Sequence, residues 1–116
     1  MFLSPYIEYV IYIIFDEPDR KEKFDKNKWM NDEQNRYRME GDMINSKMLI
    51  GKTQQQVLEL LGNEKGKITI RKEFLTNMYY QVGYIPKPEL FNINIRYLVV
   101  SCRDDTVNGV YVAEYD

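Results

Sequence analysis

From residue 77 to the end, the chain repeats with a period of two, three times over. "NMYYQVGYI" puts Met78, Tyr80, Val82 and Tyr84 on one face. "INIRYLVVSC" puts Ile95, Tyr97 and Val99 on one face and Leu98, Val100 and Cys102 on the other. "GVYVAEYD" sets Val110 and Val112 against Tyr111, Ala113 and Tyr115. Side chains along a strand point alternately to opposite faces, so these runs predict three strands, and their short connections make them an antiparallel meander. Pro86 and Pro88 fall in the first connection, where a missing N–H does no harm. The second connection holds two hairpin signals. Asn108-Gly109 is the better one by residue type, Asp104-Asp105 by strand length, and the sequence leaves both open. "KGKITIRKEF" offers a further short strand over 67–74.

Ahead of the strands the period is helical. Asn31 with Gln34 makes a capping-box pattern, and Asp32 and Glu33 suit a positive helix N-terminus. Tyr37, Ile44 and Met48 recur at near-helical spacing, with Met39 and Met43 beside them, which predicts a helix over 32–46. Gly41 in its middle costs about 1 kcal/mol relative to alanine, and close approach by another backbone is the expected compensation. A second helix, 53–61, lies in "GKTQQQVLELLG": Thr53 caps it, Gln56 completes a second capping box, and Gly62 can take the left-handed C-terminal position. The short link between the helices predicts a helical hairpin. The expected class is α+β, a helical hairpin on one face of an antiparallel sheet of three strands, or four with 67–74, preceded by an apolar N-terminal segment.

That segment, residues 1–15, reads "MFLSPYIEYVIYIIF" and is broken only by Glu8. As a helix it would span about 22 Å at ~1.5 Å per residue, short of the ~30 Å hydrocarbon core. It lacks the basic start and small-residue cleavage site of a complete signal peptide. Three readings stay open: the C-terminal part of a membrane anchor, an interfacial anchor, or a helix or strand packed on the domain. Ser4-Pro5 favours a helix start, while the tyrosines and β-branched residues favour a strand. Residues 16–30 follow as a charged linker, with five acidic and five basic side chains within 16–28. Phe24 and Trp29 are its exceptions, read either as aromatics that pin the segment to a core or, for Trp29, as a partner contact. The domain proper is placed at 31–116.

The chain contains no histidine and one cysteine, Cys102, in an apolar run. Internal disulfides, Ser-His and Cys-His triads and most catalytic zinc sites are thereby excluded. Cys102 reads as a small core residue. Asp104 and Asp105 are adjacent carboxylates, a pattern more common in exposed turns than in acid–base pairs. "GNEKGK" lacks the spacing of a phosphate-binding loop. A net charge of -2 makes non-specific nucleic-acid binding a poor candidate. No catalytic residue, metal ligand or cofactor site is expected, and the chain reads as a non-enzyme.

The residues "GKTQQQVLELLG" resemble the helix signature of the small outer-membrane assembly lipoproteins of the SmpA/OmlA/BamE family. Gly51, Thr53, Gln56, Val57, Leu61 and Gly62 match its glycine, capping residue, "QV" and leucine-glycine ending. The helices-then-strands order is also similar to that family and to the β-lactamase-inhibitor-like fold it shares, over roughly residues 31–116. Two departures stand out. The family commonly has proline two residues past the closing glycine, where this chain has Glu64, and its members carry a lipidated N-terminal cysteine that this sequence lacks. The resemblance implies a non-enzymatic protein-protein interaction module of the bacterial cell envelope. It would be membrane-associated, with membrane contact through the N-terminal segment and another protein as partner. The shared fold implies an alternative, a proteinaceous enzyme inhibitor. Tyr79, Tyr111 and Tyr115 are the candidate partner-binding residues on the sheet, together with Trp29. The competing reading of the tyrosines is a set of cross-strand pairs that shield backbone.

Overall fold

The second capping box forms as its residues require. Thr53 Oγ1 accepts from Gln56 N at 3.2 Å, and Gln56 Oε1 accepts from Thr53 N at 2.9 Å. Helix α3 then runs Gln54–Leu61, ending at Gly62 with φ +82°, whose N–H donates to Leu58 O at 2.8 Å. Two orphan donors at one end and a left-handed residue at the other are what a helix of this length needs. The computed structural model describes residues 9–12, 22–86 and 93–115.

The expected helix over 32–46 is divided. Helix α1 is Lys26–Asn31, Glu33–Asn35 make a 3₁₀ turn, and helix α2 is Tyr37–Asn45. Asn31 caps nothing; it ends α1, and α2 starts at Arg36 without a side-chain cap. Part of the stretch read as a charged linker is therefore helix, because Asp25 caps it: Lys28 N donates to Asp25 Oδ1 at 3.1 Å. Phe24 N donates to Asp42 Oδ2 at 2.8 Å and Glu22 N to Arg38 O at 2.9 Å, so the charged segment is tied to α2. The predicted hairpin is also revised. Helix α3 packs against α1, and α2 against a strand.

The strands are β1 Tyr9–Tyr12, β2 Gly66–Ile70, β3 Leu75–Pro86, β4 Ile93–Arg103 and β5 Thr106–Tyr115. Strands β2 to β5 form an antiparallel meander, which bears out the α+β class and the four-stranded alternative. The β4–β5 turn is Asp104-Asp105, both left-handed at φ +51° and +68°. Asn108-Gly109 lies inside β5, where the register shifts beside Ser101 and Cys102. Of the apolar segment 1–15, only residues 9–12 are described. Their backbone runs antiparallel to β5, Tyr9 opposite Tyr115 and Tyr12 opposite Val112. Residues 1–8, 13–21 and 87–92, and with them Pro88 and the rest of the anchor reading, lie outside the described residues. The sheet order is β1-β5-β4-β3-β2.

The helices cover one face of this sheet. Met78, Tyr80, Val82, Leu98, Val100, Cys102 and Val112 from the strands meet Trp29, Met39, Met43, Leu49, Val57 and Leu61 in a single core. A close backbone approach occurs at Gly83, and Gly41 is buried in α2. Strand β3 bulges between Gln81 and Gly83, and a Cβ on Gly83 would lie 2.8 Å from Gln34 O. Only glycine lets the 3₁₀ turn sit this close.

Candidate functional site

Trp29 does not face a partner. It is fully buried, its ring 6.1 Å from Tyr80 and 6.2 Å from Phe24, and its Nε1–H donates to Leu61 O at 2.9 Å. A large ring with one polar handle is buried at low cost when that handle finds a carbonyl. Arg36 lies 4.5 Å from the ring centroid, donating Nε to Trp29 O at 2.7 Å and Nη1 to Gln81 O at 3.1 Å. Burial pulls the Arg36 guanidinium down from its ordinary value, and Glu33 partly offsets this. Arg36 thus clamps α1 and the 3₁₀ turn to β3, and the tryptophan is a structural anchor.

The family-signature residues are structural too. Gly51 has φ +89° and donates its N–H to Val107 O at 2.9 Å; Val57 and Leu61 are buried in the core. Tyr80, from the core face, donates its hydroxyl to Gly62 O at 2.8 Å. Burial pushes the Tyr80 phenol well up, with Glu64 adding to the shift. Burial likewise raises the Cys102 thiol, which is a core residue as expected. Asp104 and Asp105 are exposed turn residues, and Asp105 Oδ1 accepts from Gln54 N at 3.3 Å at the start of α3.

The sequence reading missed an ionic cluster. Arg96 and Glu114 are cross-strand partners on the helix-covered face, and Glu40 of α2 meets them from above. Glu40 is 0% exposed, Arg96 1% and Glu114 3%. Arg96 Nε donates to both Glu40 carboxylate oxygens at 3.0 Å, its Nη2 also donates to Glu40, and its Nη1 donates to Glu114 Oε2 at 2.5 Å. Burial lowers the Arg96 guanidinium, but its bonds to Glu40 and Glu114 outweigh that and hold it above its ordinary value. The signal was present: Arg96 shares its strand face with Leu98 and Val100, and Glu114 shares its face with Val112. A charge on a core-facing position demands a partner. The cluster is closed off from solvent and joins α2 to the sheet.

Among the described residues no helix lies on the other face of the sheet. Tyr79, Tyr97 and Tyr115 form a diagonal row across β3, β4 and β5, with centroids 5.9 Å and 5.7 Å apart in edge-to-face contact. All three are half-buried, as is Tyr111 opposite Val99. Such contacts are the favoured aromatic geometry, and they include Tyr97, which the sequence reading had not singled out. Val99 and Ala113 on this face are themselves buried. Beside the row is a shallow recess of about 370 Å³ lined by Lys65, Gly66, Lys67, Ile68, Tyr79, Tyr97 and Tyr115. It brings together Tyr79 and Tyr115; Tyr111 lies outside its lining and Trp29 on the opposite side. A second recess, of about 360 Å³, is lined by Glu22, Lys28, Asp32, Asn35, Arg38 and Met39, with Lys28 paired to Glu22 at 3.8 Å.

Among the described residues no group of three or more metal-ligating side chains comes together, and no helix is long and apolar enough to cross a membrane. Comparison with protein-family models, curated proteins and solved structures finds no match to this chain.

Proposed function

We propose that this chain is a non-enzymatic protein-binding module that works through the tyrosine face of its sheet. The observation that carries the reading is the recess between the Tyr79–Tyr97–Tyr115 row and Ile68, an apolar, aromatic depression with Lys65 and Lys67 at its rim. Tyrosine offers a partner large contact area with few rotatable bonds and a hydroxyl for orientation. The bacterial cell envelope as its setting, and a membrane-associated N-terminus, are supported by the resemblance of residues 51–62 and by the apolar character of residues 1–15. A recess lined by aromatics also suits the alternative, an inhibitor that seats its sheet on an enzyme.

The test is site-specific photocross-linking in the producing cell, with a photoreactive side chain at Tyr79 or Tyr97 and, as control, at Gln55 on exposed α3. A discrete protein adduct from the sheet positions alone is the expected result. Equal adducts from all positions, or none, would reject this face as the working surface. Liposome flotation of the full chain beside one starting at Asp16, which also removes β1, tests the membrane contact: only the full chain should float, while circular dichroism shows the shortened chain still folded.

A further inference from the structure

The β2 edge of the sheet has unusual chemistry. Strand β2 ends the strand order, and all five of its residues, Gly66–Ile70, are exposed. An exposed edge is a template for another strand, and proteins ordinarily blunt it with proline, a bulge, a cover or charged side chains, of which β2 carries Lys67. Strand β2 has no proline, and its register with β3 is unbroken from Gly66–Tyr79 to Ile70–Leu75. It presents Ile68, 54% exposed, and Ile70, 41% exposed, on the side of the tyrosine row. At its end Phe74 is 67% exposed and held left-handed at φ +53°. An aromatic residue in that conformation is strained, and strain of this kind gathers at working surfaces. Phe74 and Thr69 line a further recess of about 570 Å³ beside the edge.

The charge along this edge selects the occupant. Lys65 pairs with Glu33 at 3.7 Å. Among the described residues, Lys67, Arg71 and Lys72 make no ion pair and all are exposed; Glu73 ends their 3₁₀ turn, and Asp104 and Asp105 line the recess beside Arg71, so the cations face outward most plainly along β2 itself and at Lys72. We infer that β2 receives an extended, acidic segment of a partner protein as an added strand, with β-branched side chains over Ile68 and Ile70 and carboxylates facing Lys67, Arg71 and Lys72. In this mode main-chain hydrogen bonds supply affinity and alternate side chains supply specificity. A second copy of this chain is disfavoured, because it would set these cations against themselves. The inference rests on the binding-module reading and names the partner's chemistry and pose.

The experiment uses the full chain and a probe peptide of about ten residues alternating valine and glutamate, followed by fluorescence anisotropy and amide hydrogen exchange. The probe should bind and slow exchange across 66–70. The same peptide with lysine in place of glutamate should bind about tenfold more weakly, and the variant Lys67→Glu/Arg71→Glu should reverse that preference. Equal binding of both peptides, protection confined to other residues, or no binding at about 1 mM would overturn the inference. So would protection of 66–70 without probe that rises with protein concentration alongside a sedimenting dimer, which assigns the edge to a second copy. The two readings fail separately: adducts from Tyr79 without probe binding keep the module and lose the edge, and probe binding without adducts keeps the edge and loses the face.

Discussion

At Gly83 the helical layer comes close to the sheet, and Gly83→Ala measures how much that approach matters. The added Cβ would lie 2.8 Å from Gln34 O and 3.5 Å from Tyr37 Cδ1. The first distance is well inside the ~3.5–4.0 Å at which non-bonded atoms rest, and the obstacle is backbone, which cannot rotate away. The φ of +143° adds a second cost. Left-handed strain at a non-glycine residue costs about 1–3 kcal/mol, and overpacking by one methyl group costs about 1–3 kcal/mol. Together they predict a loss of roughly 2–6 kcal/mol, a large share of a stability that for a domain of this kind is about 5–15 kcal/mol. The consequence should spread, because lifting the 3₁₀ turn moves Arg36, which bonds to both Trp29 O and Gln81 O.

Trp29 is the only tryptophan, so its fluorescence reports on this junction directly. Urea unfolding followed by fluorescence and circular dichroism should show the midpoint of Gly83→Ala falling well below that of the unaltered chain, with the emission of the folded state shifted to the red. Gly109→Ala is the control, since a Cβ there meets nothing within 4 Å and its φ is not left-handed; its stability should change by no more than about 0.5 kcal/mol. Equal effects from the two substitutions would falsify the account of Gly83 as the glycine that admits the 3₁₀ turn.

Three further outcomes follow from the geometry. Thr53→Ala should cost about 1 kcal/mol and fray the start of α3 while the fold survives; an unmoved denaturation midpoint would show that the Thr53–Gln56 exchange contributes nothing. Arg96→Met should cost about 3–5 kcal/mol, because it leaves Glu40 and Glu114 buried without their guanidinium, whereas the surface change Lys72→Met should fall within about 0.5 kcal/mol by calorimetry. Tyr80 and Cys102 both titrate higher in the fold than in the unfolded chain. Their contribution is therefore full at neutral pH and is lost as pH rises past about 9 for the thiol and about 10 for the phenol, where the unfolded chain ionises first. Tyr80→Phe should flatten the alkaline part of that profile, and labelling of Cys102 should proceed at the rate of unfolding; fast labelling of the folded chain would contradict its burial.

Period and capping chemistry were the legible part of this sequence. Strands β3, β4 and β5 could be read because, away from the bulge at Gln81–Gly83 and the irregularity in β5, their core-facing positions lie two residues apart, and α3 could be read because both of its ends carry their own satisfying groups. The start of α2 was not legible. Asn31 and Gln34 have the letters of a capping box, but tertiary contacts decide otherwise: Arg36 bonds to Trp29 and Gln81, and Gly83 draws the Gln34 carbonyl onto β3. The β4–β5 turn was settled by the same kind of competition. Strand length favoured Asp104-Asp105, and the stronger turn dipeptide Asn108-Gly109 was absorbed as an irregularity inside β5. Gly83 and Arg96 each broke the pattern of their strand, one by lacking a side chain and the other by carrying a charge among apolar neighbours. Each break marks a contact with the helical layer.

The two faces of the sheet differ in how their polar groups are satisfied. On the helix side, every polar group that the structure buries in the Arg96 cluster and at Trp29 has a partner, as a permanent interior requires. On the tyrosine side the arrangement differs. The rings are only half-buried, the recess beside them is open, and Asn77, which sits between Ile68 of β2 and Ser101 of β4, holds a buried side-chain oxygen without a hydrogen-bond partner. It lies on the face and next to the edge strand where exposed isoleucines and unpaired cations also collect. The proposed binding surface, completed by another chain, accounts for these features together.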